Sequence, residues 1–371
     1  MTTTRGLEGI VATTSSVSSI IDGVLTYRGY NIDDLADHAS FEEVVYLLWY
    51  GKLPTEKELN EFKGKLSSQY AVPSQVMDML KQYPLGEIHP MAGVRTAVSS
   101  LGLYDENADN MSEEANLNKS ISLLAKLSTI VAAFSRLRDG KEVIEPKEDL
   151  SYAANFLYML NGKEPDEISV NAINKALVLH ADHELNASTF TARVCVATLS
   201  DVYSGVTAAI GALKGPLHGG ANERVMKMLS DVGEVENVEP YLKDALERKE
   251  KIMGFGHRVY KDGDPRAKHL REMSKQLTSI TGETKWYEMS VKLDELMTKE
   301  KGLLPNVDFY SASVYHSLGL KHDLFTPIFA MSRLSGWLAH ILEQYDNNRL
   351  IRPRAEYTGP SMQQFVSIEN R

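Results

Sequence analysis

Cysteine is almost missing from this 371-residue chain, which carries only Cys195. One thiol cannot close an intramolecular disulfide or build a thiolate metal cluster. Positive charge is the minority sign: 40 Lys and Arg stand against 50 Asp and Glu, a formal net charge of -10. That bulk field is wrong for a nucleic-acid or anionic-membrane surface, although small anions answer to local charge. No apolar run approaches the ~20 residues of a membrane span. The opening MTTTRGLEGIVATTSS lacks a basic patch followed by an apolar run, so no signal peptide is expected. Internal repeats and low-complexity linkers are also absent. What remains is ordinary globular composition, 43% hydrophobic and 24% charged, long enough for one large domain with a smaller one. The expectation is a soluble, cytoplasmic protein.

Strand signals occur only near the front. GIVATTSSVSSIIDGVLTYRGY mixes β-branched residues with Ser and Gly turn signals and predicts a short hairpin. Beyond it the helical period dominates. Ser40 is placed to cap a helix ending by Gly51, and Pro54-Thr55 to open the next. In DEISVNAINKALVLHADHE, Val170, Ile173, Leu177 and His180 fall on one stripe. TGETKWYEMSVKLDELMTKEKG and FTPIFAMSRLSGWLAHILEQYDNN read as helices too. The fold class is all-α with a small N-terminal β element. The glycine-rich stretch at 215–220 and the turn near 320–327 are the places for the chain to change domain.

Three stretches gather reactive side chains. HADHELNAS holds His180, Asp182, His183, Glu184 and Asn186. GPLHGGAN sets His218 among glycines, and KIMGFGHRVYKDGDPRAKHLREMSK repeats that oddity with His257 after Gly254 and Gly256. In the last stretch Lys251, Arg258, Lys261, Arg266, Lys268, Arg271 and Lys275 face only Asp262, Asp264 and Glu272, a candidate anion site in an acidic chain. Each has a plainer reading: His218 as a turn residue, His180 as a core histidine, His183 and Glu184 as helix caps, the basic run as a solvated helix face. A catalytic metal on His180, His183 and Glu184 is the sharper rival, but the zincin pattern needs histidines four apart with the glutamate between them. NVDFYSASVYHSLG opens a helix at Asp308, whose plain reading is an N-cap. Arg333, Arg352 and Arg354 complete the set, and their planar forks suit a dicarboxylate.

Taken together, HADHELNAS, GPLHGGAN, GFGHRVYKDGDPRAK, NVDFYSA and the C-terminal RPRAEYTGP resemble the citrate synthase family, in its shorter bacterial and archaeal form, over nearly the whole chain. The resemblance implies condensation of acetyl-CoA with oxaloacetate and hydrolysis of the citryl thioester, with no cofactor and no metal. It implies Asp308 as the base, His218 as the donor to the thioester oxygen and His257 as the group polarising the oxaloacetate ketone. His183, Arg266, Arg333 and Arg352 are implied as oxaloacetate ligands and Lys261 as a contact to the CoA phosphates. Arg352 would come from the second subunit of a homodimer. The implied fold has a large helical domain over 1–217 and 325–371 and a small one over 218–324, closing around substrate. The nearest rival is 2-methylcitrate synthase, which uses propionyl-CoA; a metal-dependent hydrolase is the distant one.

Overall fold

The computed structural model describes residues 5–7, 9–257 and 259–371; Arg258 of the basic stretch lies outside them. Among the described residues are 16 α-helices and one three-stranded sheet. Its strands β1 (Ser18–Ile21), β2 (Val24–Tyr27) and β3 (Tyr30–Asn31) are antiparallel in sequence order. Asp22 and Gly23, both at positive φ, make the tight turn between β1 and β2, the conformation that an Asp-Gly pair favours in a hairpin. Ser40 and Thr55 each close a capping box, with Glu43 and Glu58, and Gly51 ends the first of those helices in the left-handed conformation, as their local chemistry predicts.

Helix Phe325–Asp346 is the axis of the larger helix group. It packs on helices Phe41–Tyr50, Pro90–Leu101, Glu113–Arg138, Glu167–His180, Ala187–Val196 and Val202–Leu213, and its Trp337 is fully buried. Helix Glu113–Arg138 corrects one expectation. Its 26 residues, with a mean hydropathy of 1.4 over the best window, are long and apolar enough to cross a membrane. Its apolar positions are interrupted by Ser, Thr and Lys, so no unbroken run shows in the sequence. The helix instead supplies core residues from Ile121 to Phe134.

A second group comprises helices Ala221–Val232, Val238–Glu247, Ala267–Thr281, Lys285–Lys301 and Val307–Ser317, packed on one another. The chain passes between the groups near 214–220 and 318–324. Among the contacts that bridge them, helix Ala221–Val232 packs on Phe325–Asp346, Asp33 accepts from Lys268 Nζ at 2.6 Å and meets His269 Nε2 at 2.7 Å, and His89 Nε2 lies 3.2 Å from Glu223.

The glycines around His218 are there for contact more than for freedom. Gly220 has φ +73° at the start of its helix, and a Cβ on Gly219 would be driven into the Leu213 carbonyl oxygen. That atom is backbone and cannot swing away. Gly219→Ala is therefore expected to destabilise the fold by ~1–3 kcal/mol, as overpacking against fixed atoms does. Thermal and denaturant unfolding would measure it; an unchanged midpoint would mean that the loop relaxes freely.

Candidate active site

His183 and His180, three residues apart, go to different places. His180 ends its helix fully buried, with Nδ1 2.7 Å from the Ala176 carbonyl and its ring against Phe329. Burial pushes its pKa down to about 3. It is a core histidine, as its stripe predicts. His183 sits in the following loop, whose anchors are buried. Tyr27 Oη donates to the Asp182 carbonyl at 3.1 Å; Ser18 and His340 hold the Asp182 carboxylate, the latter at 3.3 Å. Glu184 caps no helix; its Oε1 accepts from the Ile20 N–H of β1 at 2.9 Å. The imagined metal triad therefore does not converge, because its three side chains face three different environments.

His257 stands on a ribbon held to the strand-like residues before Asp308. Gly256 N–H donates to Leu304 O and Asn306 N–H to Gly254 O, both at 2.9 Å. Gly254 has φ +84° and faces Phe309 so closely that a Cβ would come within 2.8 Å of its ring. The backbone N–H groups of Val259 and Tyr260 donate to His257 Nδ1 at 3.0 and 3.3 Å. Nδ1 is thus an acceptor, and the ring proton sits on Nε2, which is left to donate.

His218 is held the other way round. Ser188 N–H donates to its Nε2 at 3.3 Å, and Ser188 Oγ lies 2.7 Å from the same nitrogen. Trp337 Nε1–H donates to that Oγ at 3.0 Å. Nε2 is the acceptor here, so Nδ1 carries the hydrogen. Arg224 braces the loop by donating to the Pro216 and Gly220 carbonyls at 2.6 and 3.2 Å.

Asp308 is not the N-cap. Helix Val307–Ser317 is capped by Asn306, whose Oδ1 accepts from Asp308 N–H at 3.0 Å. Asp264 Oδ2 accepts from Val307 N–H at 3.1 Å. With the end of the helix satisfied by those two residues, the Asp308 carboxylate has no hydrogen-bond partner among the described residues. Burial pushes its pKa up from 3.8 to about 6, against the pull of Arg266, Arg333 and Arg224. A carboxylate at the start of a helix ordinarily moves the other way; here desolvation wins.

Arg266 and Arg333 supply buried positive charge. Arg266 forks onto Asp264 with Nε and Nη2, at 2.9 and 2.7 Å, which leaves the Nη1 side of the guanidinium. Arg333 donates Nε to the His180 carbonyl at 2.8 Å and lies over the Phe329 ring. Its Nη atoms have no partner among the described residues. Burial lowers its pKa to about 10, so it remains cationic. The same burial, reinforced by these arginines, pushes His218 and His257 down to about 4 and His183 well below its ordinary value. All three imidazoles are neutral at pH 7.

His183, His218, His257, Arg266, Asp308 and Arg333 thus share one electrostatic neighbourhood. Lys261 and Arg352 do not join it. Both are exposed, Lys261 on the bend after His257 and Arg352 on the extended C-terminal segment. The basic run is also partly spent: Lys268 binds Asp33, Arg271 lies 3.5 Å from Asp294, and Arg266 holds Asp264. Ser188, Tyr260 and Asp264 are the site residues that pattern reading passes over. All three lie inside the quoted motifs, where their residue types carry no chemistry that stands out.

Comparison with known proteins shows the family of the chain. The family model for the citrate synthase C-terminal domain matches residues 6–354. Citrate synthase 2 of Bacillus subtilis is 70% identical over 371 residues, covering 100% of both chains. A 2-methylcitrate synthase of Shewanella oneidensis is 44% identical over 372 residues, covering 100% of this chain and 98% of its own. The structure of the Thermoplasma acidophilum citrate synthase in complex with carboxymethyl coenzyme A and oxaloacetate superposes with a TM-score of 0.93 at 37% identity, covering 98% of each chain. The chain belongs to the citrate synthase family and is an acyltransferase of that type.

Proposed function

We propose that this site condenses acetyl-CoA with oxaloacetate, Asp308 acting as base and His218 and His257 as neutral donors. The observation that carries the reading is the pairing of two buried guanidinium groups holding unspent N–H donors with three neutral imidazoles and one unusually basic carboxylate. Arg266 and Arg333 would take the oxaloacetate carboxylates, with His183 alongside. His257 Nε2–H would donate to the ketone oxygen, drawing electron density from its carbon. Asp308 would remove a proton from the thioester methyl while His218 Nδ1–H donates to the thioester oxygen. Neither half works alone, because the carbanion is too basic unless its developing oxyanion is held. The enolic carbon then attacks the ketone carbon, the ketone oxygen is protonated through His257 to give the citryl hydroxyl with the methyl proton held by Asp308 making up the balance, and water cleaves the thioester to citrate and the CoA thiol.

Movement of the two helix groups about 214–220 and 318–324 would exclude water during condensation. Lys261, exposed beside His257, is available to the coenzyme phosphates. Release of CoA thiol from acetyl-CoA and from propionyl-CoA, each with and without oxaloacetate, tests the reaction. Oxaloacetate-dependent release with the higher kcat/KM for acetyl-CoA is expected. A preference for propionyl-CoA would move the substrate to that of the 2-methylcitrate synthases.

The exposed segment carrying Arg352 also holds Tyr357, Met362 and Phe365 as exposed apolar side chains, and this supports an arm laid on a second copy of the chain. Arg352 would then complete the partner's oxaloacetate site. Mixing two inactive variants, Asp308→Asn and Arg352→Ala, through unfolding and refolding should restore about a quarter of the sites, since half the dimers are mixed and each has one intact site. No recovery above the parents would place both residues in one chain's site.

A further inference from the structure

We propose that Tyr260 is a positioning residue that sets His183 and His257 together as one oxaloacetate-binding unit; the inference rests on the assignment of those histidines above. Tyr260 is buried, and its Oη lies 3.0 Å from His183 Nε2. Its ring centroid is 4.6 Å from that of His257 and 5.5 Å from that of His183, while the two imidazoles are 5.1 Å apart. The three rings close a triangle, and Tyr260 touches both histidines through different parts of its side chain.

The direction of the hydrogen bond follows from the chemistry of the partners. The buried phenol is held well above its ordinary pKa and keeps its proton. A buried hydroxyl hydrogen needs an acceptor, and His183 Nε2 is the one within reach among the described residues. Donation from Tyr260 makes Nε2 an acceptor and keeps the His183 hydrogen on Nδ1. The backbone of the same residue has a second effect, because Tyr260 N–H is one of the two donors that fix the His257 tautomer. One residue therefore fixes the proton position on both rings and, through its aromatic face, the angle between them. Oxaloacetate meets donors that are already oriented, which is where positioning contributes most.

Two substitutions separate the two contacts. Tyr260→Phe keeps the ring and deletes the hydroxyl; Tyr260→Leu removes the ring as well. For Tyr260→Phe, kcat/KM for oxaloacetate should fall about tenfold, the size of one neutral hydrogen bond, with KM for acetyl-CoA unchanged. Tyr260→Leu should also lower kcat, as the His257 ring loses its support. Nitrogen-15 spectra of the imidazoles provide a readout that a merely structural role would not move: His183 should pass from one tautomer to a mixture in Tyr260→Phe. Unchanged His183 shifts in Tyr260→Phe, together with an unchanged oxaloacetate kcat/KM, would overturn the proposal. His183→Ala serves as the control. If it leaves oxaloacetate kinetics intact, the assignment of His183 fails, while the tautomer measurement still decides whether Tyr260 orients the ring.

Discussion

Asp308→Asn should lower turnover by orders of magnitude and leave the protein at least as stable as before. The amide is nearly isosteric but cannot accept the methyl proton, so kcat should fall by ~10²–10⁴, the usual contribution of a positioned general base. The effect on stability has the opposite sign. The Asp308 pKa in the folded protein is raised from 3.8 to about 6, so between those values the folded state binds more protons than the unfolded one. Stability then falls as pH rises through that window, and at pH 7 the buried charge costs at most ~3 kcal/mol. Asparagine removes that cost. Thermal unfolding at pH 7 should show a midpoint equal to or above that of the parent, with the difference vanishing below pH 4. A marked fall in midpoint at pH 7 would mean that the Asp308 carboxylate is holding the fold together.

The second large effect is expected at His218. His218→Ala should lower kcat by ~10²–10³, the range seen when one donor to a developing oxyanion is removed, with little change in oxaloacetate affinity. Its pH profile should keep the parent's acid limb. His218 and His257 have pKa values near 4, below that of Asp308, so the limb near pH 6 belongs to the carboxylate. Loss of the limb in His218→Ala would reassign it to the imidazole and make His218 a group that changes charge during turnover.

Local features were legible in the sequence because their chemistry is local. Ser40 with Glu43, Thr55 with Glu58 and Asp22-Gly23 each act within a few residues. The separation of His180 from His183 was legible too, since His180 completes an apolar stripe. What a linear reading misses is set by partners far along the chain. Asp308 looks like a cap until Asp264 is found to bind the N–H of Val307, 43 residues along the chain. Tyr260 meets His183 across 77 residues, and Ser188 meets His218 across 30. The glycines of GPLHGGAN mark a place for the chain to change domain, but that Gly219 is required by the position of the Leu213 carbonyl shows only in three dimensions. The basic run looked like a free anion site because Asp33 and Asp294, which engage Lys268 and Arg271, lie in distant segments.

The most direct test of the central claim is to titrate the Asp308 carboxyl of the free protein by carbon-13 NMR, assigned with Asp308→Asn, beside the pH dependence of kcat/KM for oxaloacetate-dependent thiol release, which reports the free enzyme. Both should give a midpoint close to pH 6, with kcat/KM dropping tenfold per unit below it. A carboxyl titrating near 4 while the rate limb stays near 6 would contradict the assignment of Asp308 as the base.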